Sequence, residues 1–241
     1  MTADMHGQIA IVTGTTNGVG AATAHALLDA GAHVIGVARR SLEQAGLPVD
    51  EFDRGRYVHI TGDAADPATA ESAAAAALAS GSRIDLLVNN AGIGRYADLV
   101  ETSIDDYDEI MSANVRSTYA FTRAVVDTMI AQRSGTILQI VSQSGLNGYA
   151  GEALYCASKH AQMGFTHALR QELQPFGIRV GAICPAGIRT EFAIGHGRTA
   201  ASAQSARYLS PDDVAQAVLF AATLEGSAMM TDIQLMSVAE Y

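Results

Sequence analysis

The sequence predicts an α/β fold, a doubly wound parallel sheet of about seven strands with helices on both faces. Three observations carry this. Short runs rich in Val and Ile alternate with longer helix-patterned segments. The runs are mostly continuous rather than alternating, as strands covered on both faces require. No internal repeat and no linker rich in Pro, Gly or Ser divides the 241 residues, a length that suits one such domain with a large core.

The strand runs are QIAIVTG (8–14), HVIGVA (33–38), YVHIT (57–61), IDLLVN (84–89), GTILQIVS (135–142), IRVGAIC (178–184) and DIQLM (232–236). Helical spacing occupies 18–30, 67–80, 103–133, 152–174 and 211–224. AESAAAAALAS (70–80) reads as a small-faced helix lying on the sheet, since Ala is the best helix former. SPDD (210–213) starts the last helix, with Ser210 as cap, Pro211 in the first turn and acids at the positive dipole end. The connection 187–209 is longer than most, and its glycines and small residues predict a mobile substrate lid.

Composition excludes several classes. A formal net charge of −10 repels a phosphate backbone, so no nucleic-acid partner is expected. No run approaches the roughly 20 apolar residues of a membrane span, and MTADMHGQIAIVTG lacks the features of a secretory leader. Cys156 and Cys184 have no metal-ligand spacing and read as buried reduced thiols, so no metal is expected. These features fit a cytoplasmic protein.

TGTTNGVG (13–20) leaves the first strand and opens the first helix. Gly14, Gly18 and Gly20, with Thr16, Asn17 and Val19 among them, allow a tight turn and let a pyrophosphate approach backbone N–H groups. A nucleotide-hydrolase loop needs Lys and then Ser or Thr after its last Gly, but Ala21 and Ala22 follow here. The loop is therefore read as a dinucleotide cradle. At the end of the second strand, Ala38, Arg39 and Arg40 stand where an acid would hold the ribose hydroxyls of NAD. Two guanidiniums and no carboxylate favour NADP (NADPH) over NAD.

LYCASK (154–159) sets Tyr155 and Lys159 four apart on one helical face. Together these motifs resemble the short-chain dehydrogenase/reductase family, in its compact single-domain branch, over essentially the whole chain. NNAG (89–92) is similar to that family's marker after the fourth strand, and Asn114 stands at its active-site Asn. Ser142 lies 13 residues before Tyr155, the family's spacing, and YCASK matches its YxxxK signature. The resemblance implies one NAD(P)-binding Rossmann-type domain over 1–241 that interconverts a ketone or aldehyde with its alcohol.

It also implies Asn114, Ser142, Tyr155 and Lys159 as catalytic residues, with Asp63 beside adenine and Thr190 at the nicotinamide carboxamide. Ala64, Asn90, Ala91, Gly92, Pro185, Gly187 and Ile188 join the implied cofactor set, as do Tyr155 and Lys159. A free phenol has a pKa of about 10, and Lys159 on the same face is expected to lower that of Tyr155, the general acid/base. Ser142 is expected to donate to the substrate oxygen, and Asn114 to hold a water linked to the lysine. Ser142, Ser144, Tyr149 and Phe192 are the candidate substrate residues, while Arg189, Arg198 and Arg207 read as solvated.

Two departures from the family's pattern stand out. Ala186 occupies its usual Gly position after the sixth strand, and DIQLMSVAEY replaces the common Asp-Gly-Gly ending. The ending resembles a subgroup acting on small hydroxy acids or secondary alcohols rather than the acyl-carrier ketoreductases. The family also implies a homodimer or homotetramer. A catalytically silent NADP-binding regulator or scaffold is the alternative; it expects a damaged tetrad, whereas all four residues are present. The longer sugar-nucleotide epimerase branch shares the Tyr–Lys pair but appends a substrate domain, for which no length follows DIQLM.

Overall fold

The Val- and Ile-rich runs pair side by side in the computed structural model, which describes residues 4–47, 55–205, 207–225 and 227–240. The strands are β1 (Ile9–Thr13), β2 (His33–Ala38), β3 (Tyr57–Thr61), β4 (Leu86–Asn89), β5 (Gly135–Ile140), β6 (Ile178–Pro185) and β7 (Asp232–Leu235). All pair in parallel, in the order β3-β2-β1-β4-β5-β6-β7. The order reverses between β1 and β4, and this switch point opens a crevice beyond the carboxyl ends of the strands. Every residue of β1, β4 and β5 is buried, which is why their sequences are mostly apolar. Only the edge strands β3 and β7 alternate with solvent.

Helices close both faces. On one, α1 (Gly18–Asp29) and α7 (Pro211–Ala222) bring Leu27, Leu28, Val214 and Val218 against Val12, Val34, Val88 and Ile183. On the other lie α2 (Pro67–Gly81), α4 (Ser117–Gln132) and α5 (Ala153–Leu173). There Ala70, Ala73, Ala77, Phe121, Val125 and Leu169 cover Ile11, Ile35, Leu87 and Ile137. The alanine-rich helix thus meets the sheet through small side chains, as its sequence predicts. It is started by Asp66, whose carboxylate accepts the Ala68 N–H at 3.0 Å.

The expected single helix over 103–133 is instead three pieces. α3 (Ile104–Met111) runs into a π turn over Ser112–Arg116 before α4 begins. The cause is tertiary. The Asn114 side chain accepts the Ile93 N–H at 2.8 Å and donates to the Ile93 carbonyl at 3.0 Å. Thr118 Oγ1 in turn donates to the Asn114 carbonyl at 2.9 Å. Seating Asn114 against the loop after β4 outweighs an unbroken α ladder, and π turns recur at functional sites for this reason.

The connection 187–209 carries the one-turn helix α6 (Ala200–Ala203) and folds back on itself through the bridges Ile188–Leu209 and Ile194–Arg198. No helix among the described residues is long and apolar enough to cross a membrane. α7 starts as the sequence predicts: Ser210 Oγ accepts the Asp213 N–H at 3.2 Å, and Asp213 Oδ2 accepts the Ser210 N–H at 2.7 Å. Ser210→Ala is expected to lower stability by about 1 kcal/mol in urea unfolding without altering the m-value.

Candidate active site

The loops after β1, β2, β4, β5 and β6 surround a cleft of about 1300 Å³. All the expected site residues line it except Gly20 and Asn114, which lie behind its wall. Gly14 has φ +79°, and a Cβ there would fall 2.8 Å from Asn90 Nδ2. A Cβ at Gly20 would fall 2.1 Å from the Gly14 carbonyl, so the helix can approach its own entry loop only with glycine. Thr13 locks this loop to NNAG: its Oγ1 accepts the N–H groups of Asn90 and Ala91, both at 2.9 Å. Asn90 Nδ2 returns a bond to the Thr13 carbonyl at 2.8 Å.

Asn17 sits at the N-cap of α1 but does not cap it. Its side chain donates instead to Glu191 of the connection 187–209 at 2.9 Å, leaving the first-turn N–H groups without a side-chain cap. Such an end suits an anion. Arg39 and Arg40 are exposed beyond β2, and the Arg40 carbonyl bonds His59 Nε2 at 2.9 Å. His59 Nδ1 meets the Tyr57 hydroxyl at 3.1 Å, and that hydroxyl meets Thr15 Oγ1 at 3.0 Å. This chain of contacts couples the glycine loop to the arginine loop. Burial pushes the Tyr57 phenol up to about 12. Asp63 accepts the Ala65 N–H at 2.9 Å, which shapes the turn after β3.

At the other end of the cleft, α5 presents Tyr155 and Lys159, which are 6% and 4% exposed. Lys159 Nζ lies 5.7 Å from the Tyr155 ring centroid. The Tyr155 phenol is pushed well above its ordinary value, first by burial and then by the Tyr96 phenol; a hydrogen bond with Ser142 works the other way. The expected depression by Lys159 is not what this chain alone produces. The physical reason is that the amine is just as deeply buried. Burial brings its pKa down to about 7, with Cys184 opposing, so it is only about half protonated at neutrality.

Ser142 holds its place beside Tyr155 by accepting the Ser144 N–H on Oγ at 3.1 Å. Ser144 Oγ donates to Glu152 at 2.8 Å. The Asn114 side chain is held by Ile93 and donates to Ser158 Oγ at 2.9 Å. Lys159 Nζ donates to the Ile140 carbonyl at 3.1 Å and to Gln162 Oε1 at 2.8 Å. Gln162, 1% exposed, passes its own amide hydrogen to Thr118 Oγ1. Tyr149 is half open to solvent, and Phe192 packs at 5.8 Å from the Tyr155 ring. Ala186 lines the cleft, its N–H fixed by the Leu235 carbonyl at 2.9 Å.

Sequence reading missed four residues here. Tyr96 packs edge-on to Tyr155 at 5.6 Å, and Glu152 faces the same space. Gln162 stands one helical turn from Lys159, a spacing that could have marked it. Arg198, expected in solvent, is half-buried: it donates to the Phe192 and Ile188 carbonyls and lies 5.1 Å from the Tyr208 ring. Nothing in a loop's pattern announces such contacts. Arg189 and Arg207 are exposed, as expected.

The family model described as short chain dehydrogenase matches residues 8–200. The chain belongs to the short-chain dehydrogenase family. This short-chain dehydrogenase is 33% identical to a 3-oxoacyl-acyl-carrier-protein reductase of Synechocystis sp., covering 93% of this chain and 92% of that one. It is 32% identical to the D-threitol dehydrogenase of Mycolicibacterium smegmatis over 96% and 91% of the two chains. Among solved structures it is similar to levodione reductase, with TM-score 0.87, 26% identity and 97% of each chain covered. It is also similar to a metagenomic short-chain oxidoreductase in complex with NADP, with TM-score 0.81, 28% identity and 96% and 97% covered. The chain is therefore an oxidoreductase of a family that binds nicotinamide cofactors.

Lys159 is the only lysine in the chain, so isotope-labelled lysine gives a single side-chain NMR signal. Its titration midpoint is expected near pH 7. Gln162→Leu removes an acceptor from the ammonium and moves the midpoint down, whereas Gln162→Glu adds a negative charge and moves it up. Stability carries the same signature. The amine is held at about 7 in the fold against an ordinary 10.5, so between these values the unfolded chain binds the extra proton. Wild-type stability relative to Lys159→Met should therefore rise with pH across that window. A difference flat in pH would show an unshifted lysine.

Proposed function

We propose that this chain is an NADP-dependent oxidoreductase that interconverts a ketone or aldehyde with its alcohol, Tyr155 acting as general acid/base. The observation that carries the reading is the convergence of Ser142, Tyr155 and Lys159 on the cleft that the glycine loop also borders. The donor set fits the cofactor. Gly14, Gly18 and the uncapped start of α1 suit a pyrophosphate, and Arg39 and Arg40 suit a 2′-phosphate. When bound, the cofactor supplies the hydride that reduces the carbonyl carbon. Lys159 would hold its ribose, and Thr190 its carboxamide.

The remaining chemistry belongs to side chains. Burial keeps the Tyr155 phenol protonated at neutral pH, the state required to give a proton to the carbonyl oxygen. Ser142 Oγ accepts the Ser144 N–H, and its own hydrogen, shared with the Tyr155 phenol, turns to the same oxygen as negative charge develops there. In the oxidative direction Tyr155 takes the alcohol proton. The phenol starts that direction as phenolate, and Lys159, titrating near neutrality, supplies the positive charge beside it. Gln162 acts behind the lysine as a positioning residue. Asn114 contributes by fixing the loop after β4 through Ile93.

Similarity to the NADP-bound oxidoreductase and to the acyl-carrier reductase and threitol dehydrogenase supports the class of reaction. Those relatives differ in substrate, so the substrate has to be argued from the cleft. A cytoplasmic setting and a homodimer or homotetramer go with the proposal. Tyr155→Phe is expected to lower kcat by about 10²- to 10⁴-fold while leaving the Kd for NADPH within a few-fold. Full activity in that variant refutes the role. NADPH is expected to outperform NADH, and the Arg39→Ala, Arg40→Ala double variant to shrink that preference by about tenfold or more. NADPH binding without turnover across a panel of carbonyls would favour the catalytically silent alternative.

A further inference from the structure

The cleft contains a carboxylate with no evident part in hydride or proton transfer. Glu152 stands at the N-cap of α5, three residues before Tyr155, yet its side chain caps nothing. It turns instead toward Ser144, whose hydroxyl donates to it at 2.8 Å. It forms no ion pair among the described residues. Arg198, the cation on the lid side, is held by the Phe192 and Ile188 carbonyls. Glu152 acts on the Tyr96 phenol, and Tyr149, Phe192 and Tyr208 line the same cleft.

A half-buried carboxylate needs a hydrogen-bond donor to replace lost water. Ser144 provides one, which leaves further lone pairs on the two oxygens without a donor among the described residues. Ser144 also fixes the distance from the reacting centre: its N–H bonds Ser142 Oγ while its hydroxyl bonds Glu152. One residue therefore spans the carbonyl-binding hydroxyl and the carboxylate. A group meeting Glu152 must lie on a carbon close to the carbonyl.

We infer that Glu152, held by Ser144, forms a specificity subsite for a substrate hydroxyl on the carbon beside the reacting carbonyl, so that α-hydroxy ketones and vicinal diols are the preferred substrate class. An ammonium is the other donor a carboxylate takes. The guanidinium of Arg198, close enough to act on the same Tyr96 phenol as Glu152, disfavours a second cation there. Burial also raises the Glu152 carboxyl above its ordinary value, which weakens it as a counter-ion more than as a hydrogen-bond partner. The inference rests on the reductase reading above and adds the substrate class to it.

The test compares ketones that differ by a hydroxyl for a methyl, with NADPH as reductant: hydroxyacetone against butanone, and α-hydroxycyclohexanone against α-methylcyclohexanone. Wild type is expected to favour each hydroxy ketone by about tenfold or more in kcat/KM, the discrimination expected of a site built to bond a hydroxyl. Glu152→Ala should bring the ratio toward one, and Glu152→Gln, which keeps an accepting oxygen, should retain part of it. A ratio is independent of how much enzyme is folded, so partial misfolding does not obscure the result. Wild type reducing both members of each pair equally, or Glu152→Ala keeping the preference, overturns the subsite while the reductase reading stands. A larger preference for aminoacetone that Glu152→Gln abolishes assigns the carboxylate to a cation and also overturns it. Failure of wild type on every ketone removes the reductase reading, and the subsite with it.

Discussion

A parallel sheet covered on both faces leaves polar chemistry nowhere to go but the strand ends. In β1, β4 and β5 every residue is buried, and the strands pair with neighbours on both sides. Backbone groups that meet side chains gather at the strand ends, as at the Thr13 and Ile140 carbonyls, and in the loops that follow. Short side-chain bonds then make these loops rigid. Thr13 fastens the first loop to the fourth, Asn114 fastens the fourth to the π turn, and Ser142 folds the fifth over itself. Few interactions are needed, because the strands already hold the loop bases in register.

Within that frame two buried titratable groups are displaced in opposite directions. The Tyr155 phenol moves up and the Lys159 amine moves down, so burial pushes both toward their neutral forms. The pair thereby becomes responsive to charge that arrives from outside, since neither member is already neutralised by an ionised partner. Paired carbonyl acceptors on Nζ, from Ile140 and Gln162, keep the amine oriented in either protonation state. Deep burial of a lysine costs stability; here it is offset locally by hydrogen bonds rather than by a carboxylate.

Most of the architecture was legible because it rests on local signals. β2 and β3 fall on the residues their Val- and Ile-rich runs predict, and α7 begins at Ser210 because cap, proline and acids are all nearby in sequence. Spacing and resemblance single out Tyr155, Lys159 and Ser142, which the structure brings to one cleft, and Asn114, which lies behind it. What was not legible depends on contacts distant in sequence. The break at Ser112–Arg116 answers to Ile93, and Gln162 matters only because Thr118 and Ile140 enclose it with Lys159. Arg198 reads as a solvated loop residue, yet the connection 187–209 folds it against its own carbonyls. The depressed lysine was missed for a related reason: how dry a site is follows from packing on every side, which helical spacing does not encode.

The lone lysine has one more consequence. Every other cationic side chain that stays charged is an arginine, so the protein surface offers no primary amine from a side chain. Acylating or carbamylating reagents, which on most proteins scatter over many surface lysines, meet here a single side-chain target at the base of the cleft. An amine less protonated than usual at neutral pH is also a better nucleophile. Chemical modification of this protein thus becomes a footprint of one cavity, and whatever fills that cavity acts as its own protecting group.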